Sequence, residues 1–316
     1  NCYRKAIELD PVHLLAHNNL AALLQLSGQH EEALIHHQKA IEIAQGQIAL
    51  SYIYGNYLLG MQYCPFYTPE YLFHEHQRGG ELIEGLAETP FETYFNSHLM
   101  NKKLRIGYIS PDFRAHSAIY TILALLKFHN RQFFEIYCYA NVDCPDQRTE
   151  ECRQYADHWI DISSLPASKI AEEIHKSGID ILVDPGTGHT ENNCLLVFAY
   201  VPAPIQISLY PSSTGLSKIH YRLTDHHLDP PDQKIYSTES LIYLNHPPIH
   251  FSPLIDSPKP ETDIPVAHNH FITFASFNNA AKINTQVIEV WSQILRRIPS
   301  SKLVLKSGSY CSTQAV

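Results

Sequence analysis

No run of 18 consecutive apolar residues occurs among these 316 residues, so nothing in the sequence is expected to span a membrane. Positive charge is not in surplus either. Lysine and arginine number 23 against 32 acidic residues, a net charge of −9. That speaks against non-specific nucleic-acid binding and leaves only a local basic groove open. The seven cysteines are scattered, odd in number and free of any C-x-x-C pair. A secreted disulfide framework is therefore not expected, and a reducing cytoplasm is. The lack of an N-x-S/T acceptor agrees. No signal peptide is visible, although a chain that begins at Asn1 without a methionine leaves room for an upstream segment.

Two phosphate-binding glycine signatures are also missing. Gly186-Thr-Gly188-His-Thr-Glu191 carries two glycines of a dinucleotide fingerprint. A glutamate stands where the third belongs, and its charge would repel a pyrophosphate. There is no G-x-x-x-x-G-K-[ST] loop. Histidine is abundant, at 20, yet no H-E-x-x-H occurs. The adjacent pairs His36-His37 and His226-His227 would point about 100° apart on a helix and so seldom share a metal. Solvated surface histidines are the plainer reading, and no metal site is expected.

A hydrophobic fraction of 44% suits a globular protein, and the length allows two or three domains. Residues 1–45 read as helix–turn–helix. Leu14, Leu20, Ala21 and Leu24 form one apolar stripe, Gly28 breaks it, and Ala33, Leu34, Ala40 and Ile41 form a second. Lys5-Ala6-Ile7-Glu8 recurs as Lys39-Ala40-Ile41-Glu42, an offset of 34 residues that is the tetratricopeptide period. One such unit cannot bury its own faces, so further repeats are expected before it. Residues 46–102, with Pro65, Pro69 and Pro90 as breaks, read as short helices of a connector.

From residue 103 the pattern alternates. Strands are expected at 104–109, 134–140, 159–162, 179–183 and 205–209, with helices between them. That is an α/β lobe of Rossmann type with a parallel sheet, over residues 103–254. Residues 255–270, with Pro258, Pro260 and Pro265, read as a linker. Residues 271–316 open a second α/β lobe as strand, helix 285–297 and strand. A lone βαβ unit cannot bury its faces, so this lobe is expected to be truncated or completed elsewhere.

Two polar turns stand at carboxyl ends of expected strands, where open α/β sheets bind ligands. Asp112 and His116 lie four apart after the first strand. A carboxylate can orient or accept, and histidine titrates near neutrality. The competing reading is a helix capped by Ser117 beside an unrelated carboxylate. After the first strand of the second lobe come Asn278, Asn279 and Lys282. A lysine near a helix N-terminus suits an anion, and a solvated lysine is the alternative.

The motifs together resemble the protein O-GlcNAc transferase and SPINDLY-like family. The resemblance begins at Lys103-Leu-Arg-Ile-Gly-Tyr-Ile-Ser-Pro-Asp-Phe-Arg-Ala-His-Ser117. It continues through Asp180-Ile-Leu-Val-Asp184, Gly188-His-Thr190, Pro202-Ala-Pro-Ile-Gln206 and Tyr210-Pro-Ser-Ser-Thr-Gly-Leu216. Tyr221-Arg-Leu-Thr-Asp225, Asp229-Pro-Pro231 and Phe274-Ala-Ser-Phe-Asn-Asn-Ala-Ala-Lys282 close it, in family order behind the repeat.

The resemblance implies a GT-B-like architecture. It implies inverting transfer of N-acetylglucosamine from UDP-GlcNAc to serine or threonine of proteins, with no metal cofactor. The repeats would bind the acceptor protein. By the same resemblance Asp112 and His116 stand near the acceptor hydroxyl, and Lys282 neutralises the diphosphate. Ser117, His189, Thr190, Leu209, Tyr210 and Asn279 then contact substrate. Three alternatives follow: the same activity in a longer form only, a SPINDLY-like O-fucosyltransferase using GDP-fucose, or a non-catalytic repeat scaffold.

The chain also departs from the family. Ser208-Leu209-Tyr210-Pro211 stands where the family usually has Leu-Gly-Tyr-Pro, two residues short after Gln206, and Asp184-Pro-Gly-Thr-Gly188 is one residue long. A second family histidine has no secure match in residues 52–64. Most nucleotide contacts of the family lie beyond Val316, so the chain alone is expected to bind UDP weakly.

Overall fold

The computed structural model describes residues 2–96, 102–186, 194–231, 234–253, 257–259 and 262–307. It divides into two compact units. One comprises residues 1–43, 56–67 and 255–316, and the other residues 44–55 and 68–254.

The first unit contains the repeat. Helix α1 (Cys2–Leu9) is followed by α2 (Leu14–Leu26) and α3 (His30–Ala44), so both apolar stripes read in the sequence are helices. Gly28 makes the turn between α2 and α3 at φ +77°, a left-handed conformation that a side chain disfavours. Leu20, Ala21, Leu24 and Ala33 pack together as the small core of this hairpin.

The connector is more regular than its prolines suggest. Instead of short helices it forms α4 (Leu50–Gln62) and α5 (Pro69–Glu84), of 13 and 16 residues. Pro69 does not break α5 but opens it. Thr68 caps the helix by accepting from Tyr71 N–H, and proline is tolerated in the first turn because its missing N–H would have no helical partner there.

The second unit is built on a seven-stranded, wholly parallel sheet. In chain order its elements are β1 (Leu104–Ser110), α6 (Ile119–Lys127), β2 (Phe134–Ala140), α7 (Gln147–Gln154), β3 (His158–Asp161) and α8 (Ala167–Lys176). There follow β4 (Ile181–Asp184), α9 (Cys194–Ala199), β5 (Ile205–Ser208), β6 (Tyr221–Thr224) and β7 (Ser240–Tyr243). Spatial order is β3-β2-β1-β4-β5-β6-β7. The sequence pattern does not mark the last two strands, of four residues each.

Alternation along β1 sends Ile106 and Tyr108 into one apolar cluster, with Phe113, Ile122 and Val183. It sends Ile109 into the other, with Tyr139, Leu182 and Phe198. The sheet is thus covered on both faces, as a parallel sheet requires. Strand order reverses between β1 and β4, and that switch point is where a doubly wound sheet opens a crevice at its carboxyl edge.

The remaining elements belong to the first unit. Residues expected as linker include one helical turn, α10 (Pro265–Asn269). β8 (Thr273–Ser276) and β9 (Lys302–Leu305) pair in parallel around α11 (Thr285–Arg297). No residue of α11 is buried, although its sequence is strongly amphipathic.

Candidate functional site

At the switch point, β1 ends on buried Ser110 and the chain turns sharply. Ser110 Oγ accepts from Asp112 N–H at 3.0 Å. Ala115 N–H donates to Asp146 Oδ2 at 2.7 Å, which ties the turn to the start of α7. Asp146 also caps α7 through Arg148 and Thr149 N–H. Burial works against its ionisation, but these backbone hydrogen bonds outweigh it and hold its carboxyl below the usual range.

The turn brings the two predicted residues together. Asp112 is 4% exposed, and its Oδ1 lies 3.3 Å from His116 Nδ1 and 3.8 Å from Arg114 Nη2. His116 keeps 42% of its side chain exposed. Ala118 N–H also points at His116 Nδ1, at 3.3 Å, and one nitrogen cannot satisfy both neighbours. The buried carboxylate is the stronger partner, which favours the proton on Nδ1 and leaves the Nε2 lone pair to accept. An ordered carboxylate behind a half-exposed imidazole is the geometry of an oriented base. Ser117 does not cap α6: the cap position is Ala118, with no side-chain hydrogen bond, and Ser117 is exposed.

Across the switch, β4 ends on Asp184, which is fully buried. Gly186 N–H donates to its Oδ1 at 3.0 Å, and Ser208 Oγ donates to its Oδ2 at 2.9 Å. Leu209 N–H reaches Asp184 O at 2.9 Å, and Tyr210 N–H reaches Ser208 Oγ at 3.0 Å. Leu209 belongs to the apolar cluster beneath the sheet edge, and Tyr210 is 9% exposed. His189 and Thr190 lie outside the described residues.

In the other unit, Lys282 ends a 3-10 turn, Ala280–Lys282, that follows β8. Asn279 caps the turn by accepting from Ala281 N–H at 3.0 Å, so its amide oxygen is already used. Both Asn279 and Lys282 are exposed. Helix α11 begins at Thr285, three residues further on, with its own cap at Asn284. A groove of about 350 Å³ beside this turn is lined by Gly28, Ala280, Ile283, Trp291 and Leu303, among others. Its lining is mainly apolar, which suits side chains rather than phosphate oxygens.

Two buried polar networks were missed in the sequence. Arg222, 1% exposed, pairs with Asp229 at 2.6 and 2.9 Å and also reaches Pro211 O at 3.4 Å. Glu239 receives hydrogen bonds from Ser213 and Thr214. The charged positions inside β6 and at the mouth of β7 were the only available signals. Among the described residues no group of three histidine, cysteine or acidic side chains could hold a metal, and no helix is long and apolar enough to cross a membrane.

Comparison with known proteins gives concordant matches. Residues 79–251 match the model of glycosyl transferase family 41, and residues 2–35 match a tetratricopeptide repeat. A probable UDP-N-acetylglucosamine–peptide N-acetylglucosaminyltransferase SPINDLY of Solanum lycopersicum is 36% identical over 264 residues, which cover 81% of this chain. The Arabidopsis thaliana protein named SEC, of the same printed activity, is 32% identical over 65% of the chain. The chain spans 28% of the length of the first relative and 22% of the second. A lysine-to-methionine variant of the Thermobaculum terrenum O-GlcNAc transferase matches with a TM-score of 0.88 at 27% identity, over 99% of this chain and 59% of that one.

Proposed function

Because the chain belongs to glycosyl transferase family 41, we propose that its protein transfers N-acetylglucosamine from UDP-GlcNAc to serine or threonine hydroxyls of acceptor proteins, with inversion and without a metal. The Asp112–His116 pair carries the reading: a buried carboxylate 3.3 Å behind a half-exposed imidazole, at the switch point of a family 41 sheet.

Sugar transfer raises positive charge at the anomeric carbon and negative charge on the departing diphosphate. In this reading Asp112 orients His116, whose Nε2 orients the acceptor hydroxyl or takes its proton, directly or through water. Lys282 neutralises the diphosphate as its bond to sugar breaks, a charge that is larger in the transition state than in the bound donor. Asn279, Ser117, Leu209 and Tyr210 serve as supporting contacts, and the repeat holds the acceptor protein. His189 and Thr190 remain candidates from the sequence.

One observation favours a second donor. The SPINDLY relatives are more similar, at 35–37% identity, than SEC at 32%. GDP-fucose is therefore tested beside UDP-GlcNAc. The natural full-length protein is incubated with each radiolabelled donor and a mixed protein acceptor. Label from UDP-GlcNAc alone, resistant to chelator, is the expected result. Label from GDP-fucose alone replaces the donor, and no label from either leaves a repeat scaffold without transferase activity.

A further inference from the structure

We infer that Glu239 is a positioning residue for the loop 208–216, which carries Tyr210; the inference rests on the transfer reading above. Glu239 stands just before β7 and is 4% exposed. Its Oε1 accepts from Thr214 N–H at 2.7 Å and from the Thr214 hydroxyl. Its Oε2 accepts from Ser213 Oγ and Ser237 Oγ, each at 2.9 Å. Among the described residues its hydrogen-bond donors are all uncharged.

The loop hydroxyls are used from both sides. Ser213 Oγ accepts from Thr238 N–H at 3.0 Å and from Gly215 N–H at 3.2 Å. Thr214 Oγ1 accepts from Leu216 N–H at 3.2 Å. Thr214 thus aims its proton at the carboxylate and its lone pairs at backbone N–H, and for Ser213 the carboxylate at 2.9 Å is the nearer and charged acceptor, ahead of Thr238 Oγ1 at 3.2 Å. The charge of Glu239 sets that direction, and the direction of the hydroxyls sets the path of the backbone. An apolar side chain of similar volume would leave Thr214 N–H and the hydroxyls of Ser213, Thr214 and Ser237 without their acceptor. What the carboxylate adds is orientation.

The other end of the loop has a matching anchor. Asp184 fixes Ser208, and Ser208 fixes Tyr210 N–H. Between the two anchors Arg222 holds Pro211 O, and α5 presses close against Gly215. Gly215 sits at φ +80° with room for no side chain, since an added Cβ would lie 1.8 Å from His76 O. Tyr210 is therefore displayed by a segment whose conformation is set before any ligand arrives, and Glu239 is the charge that closes it.

The test is Glu239→Gln in the natural full-length protein. The amide keeps size and one acceptor oxygen. Its NH₂ group faces Ser213 Oγ, whose lone pairs already serve two N–H groups, so the loop must open. Losing a hydrogen bond to a charged group, roughly 1.5 kcal/mol, corresponds to about a tenfold effect. KM for the donor should rise about tenfold while kcat stays within about threefold, and amide exchange across 208–216 should quicken about tenfold. Unchanged KM and unchanged exchange at 208–216 overturn the proposal. Should Glu239→Gln fail to fold, Thr214→Val decides, with about a threefold rise in KM expected and no rise overturning it. If the wild-type protein transfers neither sugar, the transfer reading fails on its own and loop exchange alone judges the anchor.

Discussion

The two units bury polar groups in opposite ways. In the sheet unit the buried carboxylates Asp180, Asp184, Asp225 and Glu239 are each met by two or more hydrogen-bond donors. Asp180 takes Lys102 Nζ at 2.6 Å, Asn96 Nδ2 at 2.7 Å and Arg105 N–H at 2.9 Å. Asp225 takes the N–H groups of His227 and Leu228 at 2.7 and 2.8 Å. Among the described residues of the repeat unit two imidazoles are buried, and while His17 meets His36 and Pro11 O, His37 is not matched. His37 is fully buried, and neither ring nitrogen has a hydrogen-bond partner among the described residues. The same contrast holds at the two candidate edges: Asp112 is sunk and braced, whereas Asn279 and Lys282 stand exposed on β8–α11–β9. A braced edge fixes geometry before substrate binds. An exposed lysine contributes charge.

The largest effect is expected at the exposed edge. Lys282→Ala removes a charge whose work lies in the transition state, so kcat/KM of the natural full-length protein should fall by roughly 10² to 10³. Because Lys282 is exposed, the melting temperature should hardly move. Turnover within a few-fold of wild type would end its diphosphate role.

At the braced edge His116→Ala should cost roughly 10², since a general base typically contributes that much or more. Asp112→Asn should cost less, because it leaves the imidazole in place and disturbs only its tautomer and orientation. A smaller loss in His116→Ala than in Asp112→Asn would reverse the assignment of base and orienter. It would also make Asp112 the group that meets the hydroxyl.

The rigidity of the sheet unit can be broken directly. A Cβ added at Gly80 would lie 2.0 Å from Gly215 O, a backbone atom that cannot turn aside. Alanine is favoured over glycine inside a helix by about 1 kcal/mol. Overpacking costs about 1 to 3 kcal/mol, so Gly80→Ala should destabilise overall. Urea unfolding of the chain reports the sign. Unchanged or raised stability would mean that α5 and loop 213–216 yield to each other, and the sheet unit is softer than its contacts indicate.

How much of this was legible depended on distance along the chain. The 34-residue repeat is written in a local period, the strands β1, β2, β4 and β5 in short β-rich apolar runs, and Asp112 with His116 in a single i,i+4 spacing. Lys282 was legible as a charged residue after a strand. Glu239 was not, because its partners Ser213 and Thr214 lie about 25 residues away. Pro69 misled because proline ends a helix or opens one according to its position, and only Thr68 in front of it distinguishes the two.

The last contrast separates the units by pH. Burial, helped by repulsion from His36, pushes the His37 imidazole down to about 4 from its ordinary value of 6.5. Below pH 6.5 the unfolded chain binds a proton that the folded repeat refuses. Stability is therefore whole near neutrality, declines as pH falls towards 4, and levels off once folded His37 also protonates. The loss at pH 5 should be about 2 kcal/mol. The sheet unit behaves otherwise. The Asp180 and Asp146 carboxyls are held below their ordinary 3.8 by backbone and side-chain donors that outweigh burial, so their contribution persists above that pH and is lost only below it. The chain's two tryptophans report the units separately, with Trp159 on β3 and Trp291 on α11. In a Trp159→Phe background, Trp291 fluorescence under mild urea should show unfolding between pH 6.5 and 4, and His37→Leu should shrink that acid step, leaving the smaller share of His30 and His36, whose imidazoles burial also pushes down. An acid step of equal size in His37→Leu would transfer the sensitivity to another group and remove the contrast between an unmatched repeat and a matched sheet.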